Sequence, residues 1–141
     1  AISTERGFVE FVRVKGNTTG SHIKGAKAAP YGELETIKVE TDSFKDIIRN
    51  FDFLKIDVEG HEAKILTSTS HSDWINTDAM IEVGTSENAK LIYEFFELEK
   101  INLFSQKNCW GKVNTFDDMP NSYKDGSLFI SNKTSVPWET K

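Results

Sequence analysis

The sequence of 141 residues predicts an α/β fold on a mostly parallel sheet with an antiparallel terminal strand. Three observations carry that expectation. From about Lys38 onward the pattern runs strand, helix, strand, helix, strand, helix, strand, strand. Two of these strands end near a glycine, Gly60 and Gly84, and lead into a helical pattern. The last two strands have no helix between them, so they can pair antiparallel across the loop from Gln106 to Asp125.

Each element has its own signal. Phe8 to Val14 (FVEFVRV) is mostly apolar and reads as a strand, with Phe8, Glu10, Val12 and Val14 on one face. Lys15 to Pro30 holds Gly16, Gly20, Gly25 and Pro30 and reads as a loop. Leu34 to Glu40 alternates in part and reads as a strand. Thr41 or Asp42 can cap a short helix, Ser43 to Arg49, with Phe44, Ile47 and Ile48 on one side. Phe53 to Val58 is a strand, and the chain turns at Gly60 into a helix ending near Leu66. A polar stretch, Thr67 to Asp73, separates it from the strand Met80 to Gly84. Thr85 or Ser86 can cap the helix Glu87 to Lys100, whose apolar face carries Leu91, Ile92, Phe95, Phe96 and Leu98. Ile101 to Ser105 and Gly126 to Ser131 are the final strands, and the tail over 132–141 looks irregular.

Length points to one domain over residues 1–141. A folded domain of this size buries roughly 70% of the surface its unfolded chain exposes, so a real core is possible. Ten Phe, three Trp and three Tyr supply bulky material for it. The net charge of −5 argues against a nucleic acid held through its phosphates and against an anionic membrane surface. No apolar run approaches the ~20 residues that span a bilayer. The start, AISTERGFVEF, has no signal-peptide pattern. The one cysteine, Cys109, can form no internal disulfide, and a reducing compartment, the cytoplasm, is the simplest fit.

The chemistry concentrates in DFLKIDVEGHEAKIL, Asp52 to Leu66. In an extended strand Lys55, Asp57 and Glu59 share a face with Phe53, opposite Leu54, Ile56 and Val58. Two carboxylates at the carboxyl end of an apolar strand, at a glycine turn into a helix, lie where α/β sheets bind ligands. Such acids can orient a hydroxyl or take its proton when burial raises a carboxyl pKa toward neutrality.

This segment resembles the signature of FkbM-type, S-adenosylmethionine-dependent methyltransferases. Lys55, Ile56, Asp57, Val58, Glu59, Gly60 and Glu62 stand at the motif's positions, with His61 at a variable one. VETDSFKDII is similar to the family's upstream helix start, and MIEVG to its next strand, with Glu82 as the acid. The likeness covers most of Thr36 to Ile101, and more loosely Phe8 to Gly25 and the last strand. It implies the second half of a Rossmann-like class I methyltransferase sheet. It also implies S-adenosylmethionine as cofactor and a small-molecule or glycan hydroxyl as methyl acceptor. Asp57, Glu59 and Glu82 are then the catalytic candidates, and Asp57 also faces the cofactor.

Lys55, His61 and Glu62 complete the set as substrate-binding candidates. Each has a plainer alternative. Lys55 can form an ion pair or reach solvent along its stem. His61 can be polar surface, and Glu62 can favour the start of the following helix. Glu82, next to Ile81, needs a partner or a wet cleft, and the cleft is expected. Asp57, Glu59, His61 and Glu82 together suggest an oxygen-rich magnesium or manganese set, but their spacing matches no dedicated motif and no metal is expected. Trp110, Phe116 and Tyr123 read as a satellite core more than a sugar platform.

One part of the family pattern is missing. An acid-led glycine turn, with a helix after it, holds the cofactor in class I methyltransferases. Gly16, Gly20 and Gly25 lack both the acid and the helix. The chain therefore reads as the C-terminal portion of a longer enzyme, with weak or no cofactor binding of its own. A non-catalytic binding or assembly module is the alternative. Without the family's first strand, Phe53 to Val58 becomes a sheet edge, open to the strand Phe8 to Val14 or to a homodimer.

Overall fold

A computed structural model describes residues 1–16, 20–26 and 32–138. Its strands fall into two sheets. The first contains β1 (Ile2–Ser3), β2 (Gly7–Val14), β3 (His22–Ile23) and β4 (Leu34–Ser43), in the order β1-β4-β2-β3. An antiparallel ladder from Gly7↔Thr41 to Val14↔Leu34 joins β2 to β4. β1 runs parallel to the far end of β4.

This sheet corrects the sequence reading in three places. Leu34 onward does not enter the second sheet, because β2 pairs with it from Leu34 to Thr41 and β1 with Asp42 and Ser43. Thr41 and Asp42 are strand residues and cannot cap α1 (Phe44–Ile48); Ser43 takes the cap position without a side-chain bond. The expected loop from Lys15 to Pro30 contains β3, which pairs with β2 at Phe11↔Ile23 and Val12↔His22. Positions 17–19 and 27–30 of that loop lie outside the described residues.

The second sheet contains β5 (Phe53–Ile56), β6 (Asp78–Glu82), β7 (Asn102–Ser105), β8 (Gly111–Lys112) and β9 (Ser127–Ser131). Its order is β5-β6-β9-β7-β8. α2 (Glu62–Leu66) connects β5 to β6, and α3 (Ser86–Glu99) connects β6 to β7. β5 and β6 are parallel, and β6 and β7 both run antiparallel to β9. Three strands thus point one way, with the last strand inserted antiparallel between two of them, as the missing helix before it implies.

Alternation sorts the core onto two faces of this sheet. Ile56, Ala79, Ile81, Leu103, Leu128 and Ile130 pack with Phe44, Ile48, Ile65, Leu66, Trp74, Ile92 and Phe96 from the helical side. Trp74 Nε1 donates to Thr69 Oγ1 at 2.8 Å, so its polar atom is satisfied inside. The apolar stripe of α3 is narrower than its sequence suggests, since Leu91 and Leu98 are exposed.

The opposite face holds Phe104, Phe129 and Val136, with Met80 and Trp110 against them. Trp138 meets Trp110 at 4.9 Å and Phe129 at 5.0 Å between ring centroids. The described tail therefore lacks regular structure yet covers a core face. Phe116 contacts Tyr93 and the main core. Among the described residues no helix is long and apolar enough to cross a membrane.

Candidate functional site

β5 stops at Ile56, one residue short of the first acid. Asp57 to Gly60 is a turn, not the end of a strand, because Glu59 and Gly60 adopt φ of 53° and 100°. A left-handed conformation costs a residue with a Cβ about 1–2 kcal/mol, so the turn must be held from outside. Gly60 has no substitute here: a Cβ would run into the carbonyl of Ala26.

The turn opens onto a cleft of about 400 Å³ between the two sheets. Asp57, Val58 and Glu59 form one side. Phe11, Ser21, His22 and Ile23 of the first sheet and its loop form another, and Ala1 and Ile2 close the rim. Asp57 is exposed and Glu59 half-buried. The structure thus brings the two acids to one cavity, although the strand face that was to align them ends before either.

The other candidates lie elsewhere. Lys55 Nζ meets Glu82 Oε1 at 3.0 Å, and both side chains are roughly half-exposed. Glu82 is therefore partnered across the β5–β6 pair and does not line the cleft, contrary to the catalytic position expected of it. Lys55 takes the ion-pair role, because the face it shares with Phe53 is open and Glu82 is within reach.

His61 is buried, with Nε2 3.4 Å from Ser3 Oγ. Burial, and then the charge of Lys64, hold its pKa below the usual histidine value. It borders a second groove with Lys24, Lys64 and Asn88, separate from the acids. Among the described residues, no three His, Cys, Asp or Glu side chains are grouped to hold a metal ion.

Glu62 is 2% exposed and faces the turn from behind. Its Oε1 accepts from the N–H of Val58 at 3.1 Å and of Gly60 at 3.2 Å. Its Oε2 accepts from Asn88 Nδ2 at 3.2 Å. Burial pushes its carboxyl pKa up; the backbone bonds pull against that, and the charge of Asp57 adds to the rise. The expected contact with substrate is replaced by contact with the chain.

Sequence reasoning gave no role to Asn88, and for His22, near Thr18, Thr19 and Ser21, it preferred an ordinary loop over a pocket lining. His22 is 2% exposed, with Nδ1 2.9 Å from the carbonyl of Gly20. Its place beside Ser21 was the one available signal; only the pairing of β3 with β2 brings it to the cleft.

Two turns in the second sheet have the strand–glycine–helix form that cradles nucleotides elsewhere. Both are closed by protein. The Ala26 carbonyl covers Gly60, and the ring of Tyr123 lies against Gly84, where a Cβ would strike it. Gly16 and Gly25 have positive φ, and positions 17–19 and 27–31 after them lie outside the described residues.

A family model described as the methyltransferase FkbM domain matches residues 1–122. No curated protein matches, and no solved structure matches.

Proposed function

Because the chain belongs to the methyltransferase FkbM family, we propose that it serves O-methylation, with a sugar or other small hydroxyl compound as acceptor. The observation that carries this reading is the shared cleft of Asp57 and Glu59. Two carboxylates on one cavity suit a polyol: one receives the proton of the reacting hydroxyl, the other fixes a neighbouring one. Phe11, Ile2 and Ile23 supply apolar surface for a sugar face. Orientation of this kind can account for roughly 7–11 kcal/mol of a barrier.

The family suggests a donor of the S-adenosylmethionine type. The described residues do not fit that group as a whole. They offer carboxylates, but both glycine turns that lead into a helix are filled by Ala26 and Tyr123. No step of the transfer is therefore assigned to donor contacts in this chain. The Rossmann-like reading of the second sheet rests on its three parallel strands, two helical crossovers and inserted antiparallel strand.

Ligand-observed NMR with simple methyl pyranosides tests the acceptor site. Binding is expected, and Asp57→Asn should weaken it about tenfold, the loss of one hydrogen bond to a charged group. Equal binding by both proteins would remove the reading. A parallel calorimetric titration with S-adenosylmethionine should show no micromolar site.

A second reading, a non-catalytic assembly module, is favoured by one observation. β5 is the terminal strand of its sheet, and its first residue, Phe53, is 52% exposed. The strand Phe8 to Val14 does not cover that edge, since it pairs with β3 and β4.

A further inference from the structure

Two polar side chains, Glu62 and Asn88, hydrogen-bond to the backbone of the Asp57–Gly60 turn. Asn88 uses both N–H bonds of its amide: Nδ2 donates to the Gly60 carbonyl at 3.1 Å and to Glu62 Oε2 at 3.2 Å. Glu62 Oε1 collects the N–H groups on either side of Glu59. The backbone is thus gripped at Val58 and at both polar atoms of Gly60. The residue between them, Glu59, is the one with a side chain in the left-handed conformation.

The two arms come from different elements. Glu62 begins α2, while Asn88 lies in the first turn of α3, where its own N–H is fixed by the Thr85 cap at 3.2 Å. α3 packs on the sheet core through Ile92 and Phe96. The turn is therefore registered against the helix that crosses from β6 to β7, and not only against its own continuation. Three hydrogen bonds to one buried carboxyl are thus spent on this turn and its link to α3.

We propose that Glu62 and Asn88 are positioning residues, a two-armed clamp that holds the Asp57–Gly60 turn so that both acids face the cleft. The proposal rests on the reading of Asp57 and Glu59 as acceptor-binding acids. It gives Glu62 a function in the site without contact to substrate. It also gives Asn88 one that its sequence position does not reveal. The groove beside Asn88 is a consequence: it is the space left where α3 leans onto the turn.

Amide hydrogen exchange on the full chain tests the clamp. Asn88 is half-buried, so Asn88→Ala should fold. It should raise exchange at the Gly60 and Val58 amides about tenfold or more, while amides of β6 and β9 stay unchanged. Glu62→Gln is the second variant. It keeps an oxygen for the two amides but turns a donor toward Asn88, and should move the same amides in the same direction. Unchanged turn amides, or an equal rise throughout the sheet, would overturn the clamp. Pyranoside affinity is the second readout: Asn88→Ala should weaken it severalfold with no matching loss of thermal stability. A wild-type chain that binds no pyranoside would sink the acceptor reading, and the exchange data would still decide the clamp.

Discussion

Asp73 and Glu62 show how the same residue type takes opposite parts. Both carboxylates are 2% exposed. Desolvation pushes Asp73 up, but Arg49 and Ser70 together outweigh it, and its pKa ends below the usual value. Arg49 reaches its Oδ1 at 2.5 Å from one nitrogen and 2.6 Å from another. The folded-state pKa lies below the unfolded one, so the stability Asp73 adds is present above the unfolded value of about 3.9 and is lost as pH falls through the folded value. Urea midpoints at pH 7 and pH 3 should therefore differ less for Asp73→Asn than for the parent protein. Equal differences would contradict the ion-pair account. Glu62 goes the other way: burial outweighs its backbone bonds, and its pKa ends above the usual value. Its oxygens are taken up by the Val58 and Gly60 amides and by Asn88, which is consistent with a positioning role. Neither partner set was legible in the sequence, because Arg49 lies 24 positions from Asp73 and Asn88 lies 26 from Glu62.

At the scale of elements, the second sheet was readable, while of the first the strands β2 and β4 were readable and their pairing was not. Gly60, Gly84 and the Thr85 cap punctuate strands and helices locally, and local signals survive in a single sequence. The β2–β4 ladder depends on two segments meeting across a long loop, and nothing in Leu34 to Glu40 says which partner it takes. The end of β5 was misplaced for a related reason. Period-2 alternation continues through Asp57 and Glu59, while the backbone leaves the strand for a turn that Glu62 and Asn88 hold from outside. The tail is the third case. Pro137 and the polar run before it suggest no structure, yet Val136 is buried and Trp138 stacks edge-on with two rings. Trp138→Ala should lower stability by about 1–2 kcal/mol, the value of two aromatic pairs and part of their burial. An unchanged denaturation midpoint would mean that the tail is a passenger.

Across the whole molecule, the cleft exists because two sheets meet at a sheet edge. β5 is the terminal strand of its sheet, and the turn that follows its carboxyl end lines the cleft opposite Ile2, Phe11 and His22 of the first sheet. The same placement leaves the β5 edge open, with Phe53 exposed beside it. If a second copy pairs there, sedimentation will show a dimer that Phe53→Pro, which removes an N–H turned to the open edge, returns to monomer. A monomer at high micromolar concentration would retire the assembly reading and leave the cleft as the one functional feature. The cleft itself is tested most directly by a double-mutant cycle on pyranoside affinity with Asp57→Asn and Glu59→Gln. Acids that hold one ligand together should couple by about 0.5–3 kcal/mol. Losses that add within about 0.3–0.5 kcal/mol would mean that the two carboxylates do not share a ligand.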